Sequence, residues 1–185
     1  MKCPVCKLDT LGIILLQDNL PANTCSQCGG IWIPSNDYLA WQQAKAADLT
    51  EKPVENPKPF DPTWETKELK LCPDCGHIMA RYKTFPDVDY YLDRCRNCNG
   101  IWFDKNEWDA IAERNLHGNL NEFFTHPWQD KLHQQEAANR MEEIYLSKFG
   151  EADFEHIKKV REWLKGHPHS NMLLAFLQAD DPYKI

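Results

Sequence analysis

The sequence "CRNCNGIWFDKNEW" at residues 95–108 is nearly repeated by "CSQCGGIWIPSNDY" at residues 25–38. Each stretch is preceded by another cysteine pair, "CPDC" at 72–75 and "CPVC" at 3–6. The two copies contain all eight cysteines of the 185-residue chain. Because an internal repeat marks one supersecondary unit that is used more than once, the sequence predicts two small modules of the same fold.

The cysteine spacing is typical of two zinc sites. The first copy reads C-x2-C-x18-C-x2-C and the second C-x2-C-x19-C-x2-C, so in each copy a hairpin can bring two cysteine pairs around one tetrahedral ion. When sulfur fills all four positions, the ion has no site for water or substrate and is structural. The predicted cofactors are two structural Zn²⁺ ions, bound by Cys3, Cys6, Cys25 and Cys28 and by Cys72, Cys75, Cys95 and Cys98.

Other uses of the cysteines stay open at this point. A redox dithiol would need one cysteine pair beside a βαβ core, whereas here every pair has a second pair and no βαβ pattern occurs. Iron in a rubredoxin-like site also takes four thiolates. Four disulfides would require export, and the N-terminal Cys3, Pro4 and Cys6 lie where a signal peptide would have its basic and apolar regions. We therefore expect a reducing, cytoplasmic compartment.

Each copy is predicted to form a β-hairpin followed by a helix. In the first copy "TLGIILLQ" and "LPANT" flank the turn-forming "DN", and in the second "HIMARYKTF" and "VDYYLDRC" flank "PD". The first helix is expected to be capped by Ser35 or Asn36 and to continue through about Ala47. The fold class is therefore a small, metal-stabilised α+β fold with two zinc ribbons.

The second helix has a well-marked N-terminus. Asp104 can cap its free amides, and Glu107, three residues later, completes a capping box. Phe103 and Trp108 can pack against each other across the cap. The helix is therefore expected to begin directly after Asp104.

Small residues and a tryptophan follow the last ligand of each copy. Gly29-Gly30 and Asn99-Gly100 lie where the chain must reverse tightly with its amides directed at the sulfurs, and these residues tolerate a positive φ. Trp32 and Trp102 are expected to form an apolar wall against the metal site and the following helix.

The pattern of prolines, charges and apolar residues predicts four segments. The ribbons with their helices occupy residues 1–47 and 71–117, and residues 48–70 form a proline-rich, charged linker that would allow the ribbons to stay apart. Residues 118–185 form an all-α C-terminal region, with a long amphipathic helix from Pro127 to Gly150 and two shorter helices. We expect this tail to pack on the second ribbon.

Both copies resemble the transcription factor zinc-finger family of bacteria, a zinc ribbon named for the ribbon of transcription factor IIB. The second copy follows the family pattern CPxC…CxxCxGxWxDxxE through Asp104 and Glu107, and the first follows it through Trp32 and then diverges. The resemblance covers residues 3–47 and 72–116 and implies two zinc ions bound by the eight cysteines. It also implies, more weakly, a role in transcription.

The charge of the chain disfavours a broad nucleic-acid surface. The formal net charge is −7, and two tetrathiolate zinc sites would bring it to about −11. A local basic and aromatic surface on the second hairpin is the alternative, with Arg81, Lys83, Tyr90, Arg94 and Arg96 as its candidate residues. Three aspartates lie among them, which is typical of an ordinary solvated face.

The sequence favours a non-catalytic function. It contains no catalytic triad order, phosphate loop or paired carboxylates, and no small-molecule substrate or membrane span is indicated, since "LGIILL" is far shorter than about 20 residues. The predicted partner is a protein that binds the ribbon surfaces and the tail. The alternatives are a transcription-related regulator that binds nucleic acid and a redox sensor that releases zinc when its thiolates are oxidised. The oligomeric state is left undetermined.

Overall fold

Both ribbons belong to one six-stranded antiparallel sheet. The computed structural model describes residues 1–7, 10–45, 66–86 and 90–183. The strand order is β1-β2-β3-β6-β5-β4, so each ribbon supplies three neighbouring strands. The strands are β1 (Gly12–Leu15), β2 (Pro21–Thr24), β3 (Ile31–Ile33), β4 (Met79–Lys83), β5 (Tyr91–Cys95) and β6 (Ile101–Phe103).

The centre of the sheet is the pairing of β3 with β6, which joins the two ribbons. Trp32 is opposite Trp102, Ile31 is opposite Phe103, and Ile33 is opposite Ile101. The proline-rich segment would have allowed the ribbons to stay apart, and the structure differs from that prediction. The reason is that each of these apolar strands would otherwise be an exposed sheet edge, and antiparallel pairing satisfies the edges of both.

Helices follow the strands of each ribbon and form the C-terminal region. They are α1 (Ser35–Lys45), α2 (Glu107–Ala112), α3 (Leu120–Phe123), α4 (His126–Phe149), α5 (Glu151–Lys165) and α6 (Ser170–Gln178). None of the described helices is both long and apolar enough to cross a membrane. The main apolar core includes Tyr38 and Trp41 of α1, Trp108 and Ile111 of α2, and Phe123.

The start of α2 differs from the predicted capping box. The Asp104 amide donates to Glu107 Oε2 at 2.7 Å, and the rings of Phe103 and Trp108 pack edge to face, as predicted. The Asp104 carboxylate, however, does not cap the helix, which begins at Glu107 after Asn106 with φ of 68°. It accepts hydrogen bonds from Trp102 Nε1 and from Thr66 instead. In the first copy, α1 begins at Ser35 and the Tyr38 amide donates to the Pro34 carbonyl, so Pro34 precedes the helix and neither Ser35 nor Asn36 is at the expected cap position.

The predicted linker and tail boundaries lie partly inside the folded region. Residues 46–65 are outside the described residues, but 66–70 contact the second ribbon through Thr66 and Lys70. Residues 118–124, placed in the tail by the sequence, contribute Leu120, Phe123 and Phe124 to the core. Tyr38 Oη of α1 donates at 2.9 Å to the carbonyl of His117, the last residue of the predicted second ribbon segment. The chain divides into two compact units, Met1–Gln135 and Glu136–Ile185.

Candidate metal centres

The first cysteine cluster forms between the N-terminus and the β2–β3 turn. Cys3 Sγ lies 3.6 Å from Cys28 Sγ, and Cys25 Sγ lies 3.9 Å from Cys6 Sγ. All four sulfurs lie within 4.8 Å of one another. The hairpin β1–β2 brings the pairs together, because it returns the chain antiparallel to the point where it began.

The second cluster has the same construction around the hairpin β4–β5. Cys72 Sγ lies 3.4 Å from Cys98 Sγ, and Cys75 Sγ lies 3.4 Å from Cys95 Sγ. The four sulfurs again lie within 4.8 Å of one another. The predicted ligand sets are therefore brought together in both copies.

Both sulfur sets fit a tetrahedral zinc ion. Zinc–sulfur bonds of about 2.3 Å place the sulfurs of a regular tetrahedron about 3.8 Å apart, close to the four distances in the two clusters. Backbone amides also face the sulfurs, since the amides of Gly30 and Gly100 donate to Cys28 and Cys98. Four thiolates around a divalent ion leave a charge of about −2, which such donors partly offset. The clusters are the sites of two structural zinc ions.

His77 forms hydrogen bonds to Cys75, a partly exposed ligand of the second cluster. The backbone amide of His77 donates to Cys75 Sγ, which lowers the pKa of that thiol to about 6, and its side chain adds a smaller contribution of the same sign. His77 Nδ1 also lies 3.2 Å from the Cys75 carbonyl oxygen. His77 is thus an outer residue that favours the thiolate form of a ligand.

Each tryptophan of the repeated motif packs on the opposite ribbon. A Cβ added at Gly30 would lie 2.2 Å from Trp102 Cζ2, and one added at Gly100 would lie 2.3 Å from Trp32 Cζ2. Gly30 and Gly100 do not have positive φ, whereas Gly29 and Asn99 do. The turn explanation therefore holds for the first residue of each pair, and the second is glycine because an indole from the other ribbon occupies the space.

The tryptophans also connect the two metal centres. Both indoles are fully buried and pack with Cys3, Cys25, Cys72 and Cys95 in one cluster. Trp32 Nε1 donates to Asp74 Oδ2 at 3.2 Å, and Asp74 lies between the cysteines of the second copy. The sequence predicted that each tryptophan packs against the metal site of its own ribbon. In the structure, each indole also packs on the other ribbon.

A buried charge cluster next to the second centre has no counterpart in the sequence predictions. Lys70, whose side chain is 2% exposed, lies 2.6 Å from Asp93 Oδ2 and 3.2 Å from Asp104 Oδ2. Burial lowers the pKa of Lys70, but the two carboxylates outweigh it and hold that pKa above its usual value. Lys70 Nζ also donates to the Thr66 carbonyl at 3.1 Å. Sequence alone gave no signal, because Lys70 and Asp93 are ordinary charged residues until the hairpin brings them together.

The candidate nucleic-acid residues are divided between different parts of the ribbon. Arg81 and Lys83 share a strand face with Tyr91, and the Arg81 guanidinium lies 4.3 Å from the Tyr91 ring centre. Arg94 is on the opposite face, 4.7 Å from the Phe124 ring. Tyr90 is fully buried and its hydroxyl donates to the Glu107 carbonyl at 2.6 Å.

The fifth candidate, Arg96, is exposed in the turn between the last two ligands of the second centre. Lining the exposed space between the two turns of this ribbon are His77, Arg96 and Asn97. The structure therefore groups only Arg81 and Lys83 of the five predicted residues on one strand face, and it separates them from Tyr90 and Arg94.

Comparison with known families agrees with this geometry. The family model described as transcription factor zinc-finger matches residues 2–44 and 71–114, so the chain carries two copies of this zinc ribbon. The matched segments contain the two sulfur clusters and the strands and helices that hold them. Searches of the curated proteins and of the solved structures gave no significant match.

Proposed function

We propose that this protein is a non-catalytic scaffold whose ribbon surfaces and helical tail bind another protein. The observation that carries the proposal is the closure of both metal centres, each surrounded by four cysteine sulfurs. A centre of this kind contributes folding free energy, on the order of 10 kcal/mol, and leaves no metal position for a substrate. The ribbons then serve recognition and not turnover.

Exposed apolar side chains support a protein partner. On the edge strand β1, the side chains of Ile13 and Leu15 are 84% and 65% exposed. Several apolar residues of the C-terminal helices are also exposed, among them Trp163, Met172 and Leu177. Exposed apolar side chains on a chain of net charge −7 favour protein contacts over binding to a polyanion. The reduced thiols that the sites require favour a reducing compartment such as the cytoplasm.

Affinity capture with the zinc-loaded full chain tests this function. The bait is compared with the Cys25→Ser/Cys95→Ser double variant, which removes one ligand from each centre. We expect a protein that is retained only by the zinc-loaded chain, and that binds again when both components are purified and mixed. Turnover of a small molecule by the zinc-loaded chain, or equal capture by the double variant, would contradict the proposal.

Nucleic-acid binding is a second candidate, supported by the shared strand face of Arg81 and Lys83 beside Tyr91. Cations on one face can contact phosphates while an aromatic ring stacks on a base. Labelled single-stranded RNA and DNA would be titrated at 50 and 200 mM salt, with Arg81→Ala/Lys83→Ala as the variant and Lys148→Ala as the control. This candidate is supported if the affinity falls steeply between the two salt concentrations, and if it falls in the Arg81→Ala/Lys83→Ala variant but not in the Lys148→Ala control. The redox-sensor alternative stays a prediction.

A further inference from the structure

In the C-terminal unit, an apolar groove lies between α5 and α6. Its volume is about 610 Å³. Apolar side chains from both helices form its surface, including Ile157 and Leu164 of α5 and Leu174 and Leu177 of α6. The groove is thus a concave apolar surface between two packed helices, which is a common form of helix-binding site.

The helix α6 shows that the groove is incompletely covered. None of its nine residues is buried, although six consecutive residues, Met172–Leu177, are apolar. Leu174 and Leu177 line the groove while remaining 43% and 63% exposed. An apolar helix that buries none of its own side chains gains little from packing on α5 alone, so a partner that covers it would add apolar burial.

The charges around the groove indicate what that partner carries. Among the described residues, the charged side chains that line it are Arg161 and Lys165, both positive. Lys165 is 2.6 Å from Glu162, which is exposed and does not line the groove. Arg161 also lines the neighbouring groove between α4 and α5, where Lys158 is paired with Glu142 and Glu155. A positive rim on a net-acidic chain is a local feature that selects for carboxylates.

We propose that this groove binds an acidic amphipathic helix of a partner protein. The apolar face of that helix lies on Ile157, Leu164, Leu174 and Leu177, and its glutamates or aspartates face Arg161 and Lys165. Nine residues of α6 span about 13 Å, so two to three turns of the partner helix are enough to cover the groove. The proposal rests on the proposed function, because it names the class of protein that the scaffold binds.

A pair of designed peptides tests the proposal directly on the zinc-loaded full chain. Both are fluorescein-labelled 18-residue amphipathic helices with leucines at every third or fourth position. One has glutamates at the flanking positions and the other has lysines. Fluorescence anisotropy should give an affinity at least tenfold higher for the glutamate peptide. Equal binding of the two peptides, or no binding of either, would overturn the proposal.

Variants of the chain test whether the peptide binds in the groove between α5 and α6. Leu174→Asp should abolish glutamate-peptide binding, and Arg161→Glu should weaken it at least tenfold while improving binding of the lysine peptide. Arg140→Glu, on an exposed position of α4 that does not line the groove, is the matched control and should change little. If Arg140→Glu weakens binding as much as Arg161→Glu, long-range charge and not the groove is responsible, and the proposal fails.

Two outcomes separate this inference from the proposed function. If a captured partner binds the Leu174→Asp chain as well as the unmodified chain, the ribbons carry recognition; the groove inference then fails and the scaffold function stands. If sedimentation shows that the chain self-associates and that Leu174→Asp separates the copies, a second copy covers the groove and the inference also fails. Circular dichroism of each variant checks that the helices remain folded.

Discussion

At the scale of single residues, two glycines determine how closely the ribbons approach. Gly30 and Gly100 each lie beneath an indole ring from the opposite ribbon. The repeated motif Gly-Ile-Trp thus encodes both sides of one junction. Each copy provides a tryptophan and a glycine, and the tryptophan of one copy packs on the glycine of the other. Interiors packed at this density cannot accept even one extra methyl group without strain.

The first prediction concerns Gly100. A Gly100→Ala methyl group would lie 2.3 Å from the Trp32 ring, so we expect the free energy of unfolding to fall by about 1–3 kcal/mol or more. Gly12→Ala is the matched control, because nothing lies within 4 Å of its added Cβ and its φ is not positive. Urea unfolding measures both variants. Equal stability of the two would show that the indole does not pack on Gly100.

The second prediction concerns Lys70. Lys70→Met leaves Asp93 and Asp104 buried without their cation, and we expect a loss of about 3–5 kcal/mol in unfolding free energy. The control is Lys45→Met, which removes the exposed ion pair with Asp18 and should cost less than about 1 kcal/mol. Thermal unfolding of both variants is compared; a Lys70→Met chain as stable as the Lys45→Met chain would contradict the importance of the cluster.

At the scale of elements, two three-residue strands, β3 and β6, join the two ribbons into one sheet. The strands β3 and β6 pair with each other and with the hairpin of their own ribbon. Loss of β3 or β6 therefore removes a ladder partner from a strand of the other ribbon. The outer edges differ: β1 ends the sheet with exposed Ile13 and Leu15, whereas β4 ends it with Arg81 and Lys83, and charges of this kind protect an edge from further pairing.

The third prediction tests the junction between the strands. Cys75→Ser should reduce zinc from two ions per chain to one, and it should also speed amide exchange in β3, although β3 belongs to the first ribbon. Elemental analysis and hydrogen-exchange mass spectrometry measure the two effects. Asn97→Ala, an exposed change in the same ribbon, is the control and should alter neither. Unchanged exchange in β3 of the Cys75→Ser chain would mean that the ribbons are independent.

At the scale of the whole molecule, the compact unit that contains both ribbons extends beyond the end of the second family match. The match ends at residue 114, but Leu120, Phe123 and Phe124 are buried in the core that the helices form with the sheet. The Phe123 ring also packs edge to face on Trp128 of α4, 5.0 Å between ring centres. The first compact unit accordingly extends to Gln135.

The fourth prediction compares two truncations. A chain ending at Leu116 loses Leu120, Phe123 and Phe124, and because removal of one such buried side chain costs about 2–5 kcal/mol, it should be unfolded or strongly destabilised. A chain ending at Gln135 keeps these residues and should retain two zinc ions and a cooperative unfolding transition. Elemental analysis and calorimetry measure both. A stable chain ending at Leu116 would show that residues 117–135 are dispensable for the ribbon unit.

The sequence by itself determined the local features of this protein. The eight ligands, the two hairpins and the helices are set by residues near one another in the chain, and the family match and the sulfur clusters confirm the ribbons and their two zinc ions. Only the tertiary structure decided what the repeats do together. The β3–β6 pairing, the exchange of tryptophans over Gly30 and Gly100, and the Lys70 cluster all join residues from distant segments. Such contacts depend on packing and burial in three dimensions, which spacing along one chain does not specify.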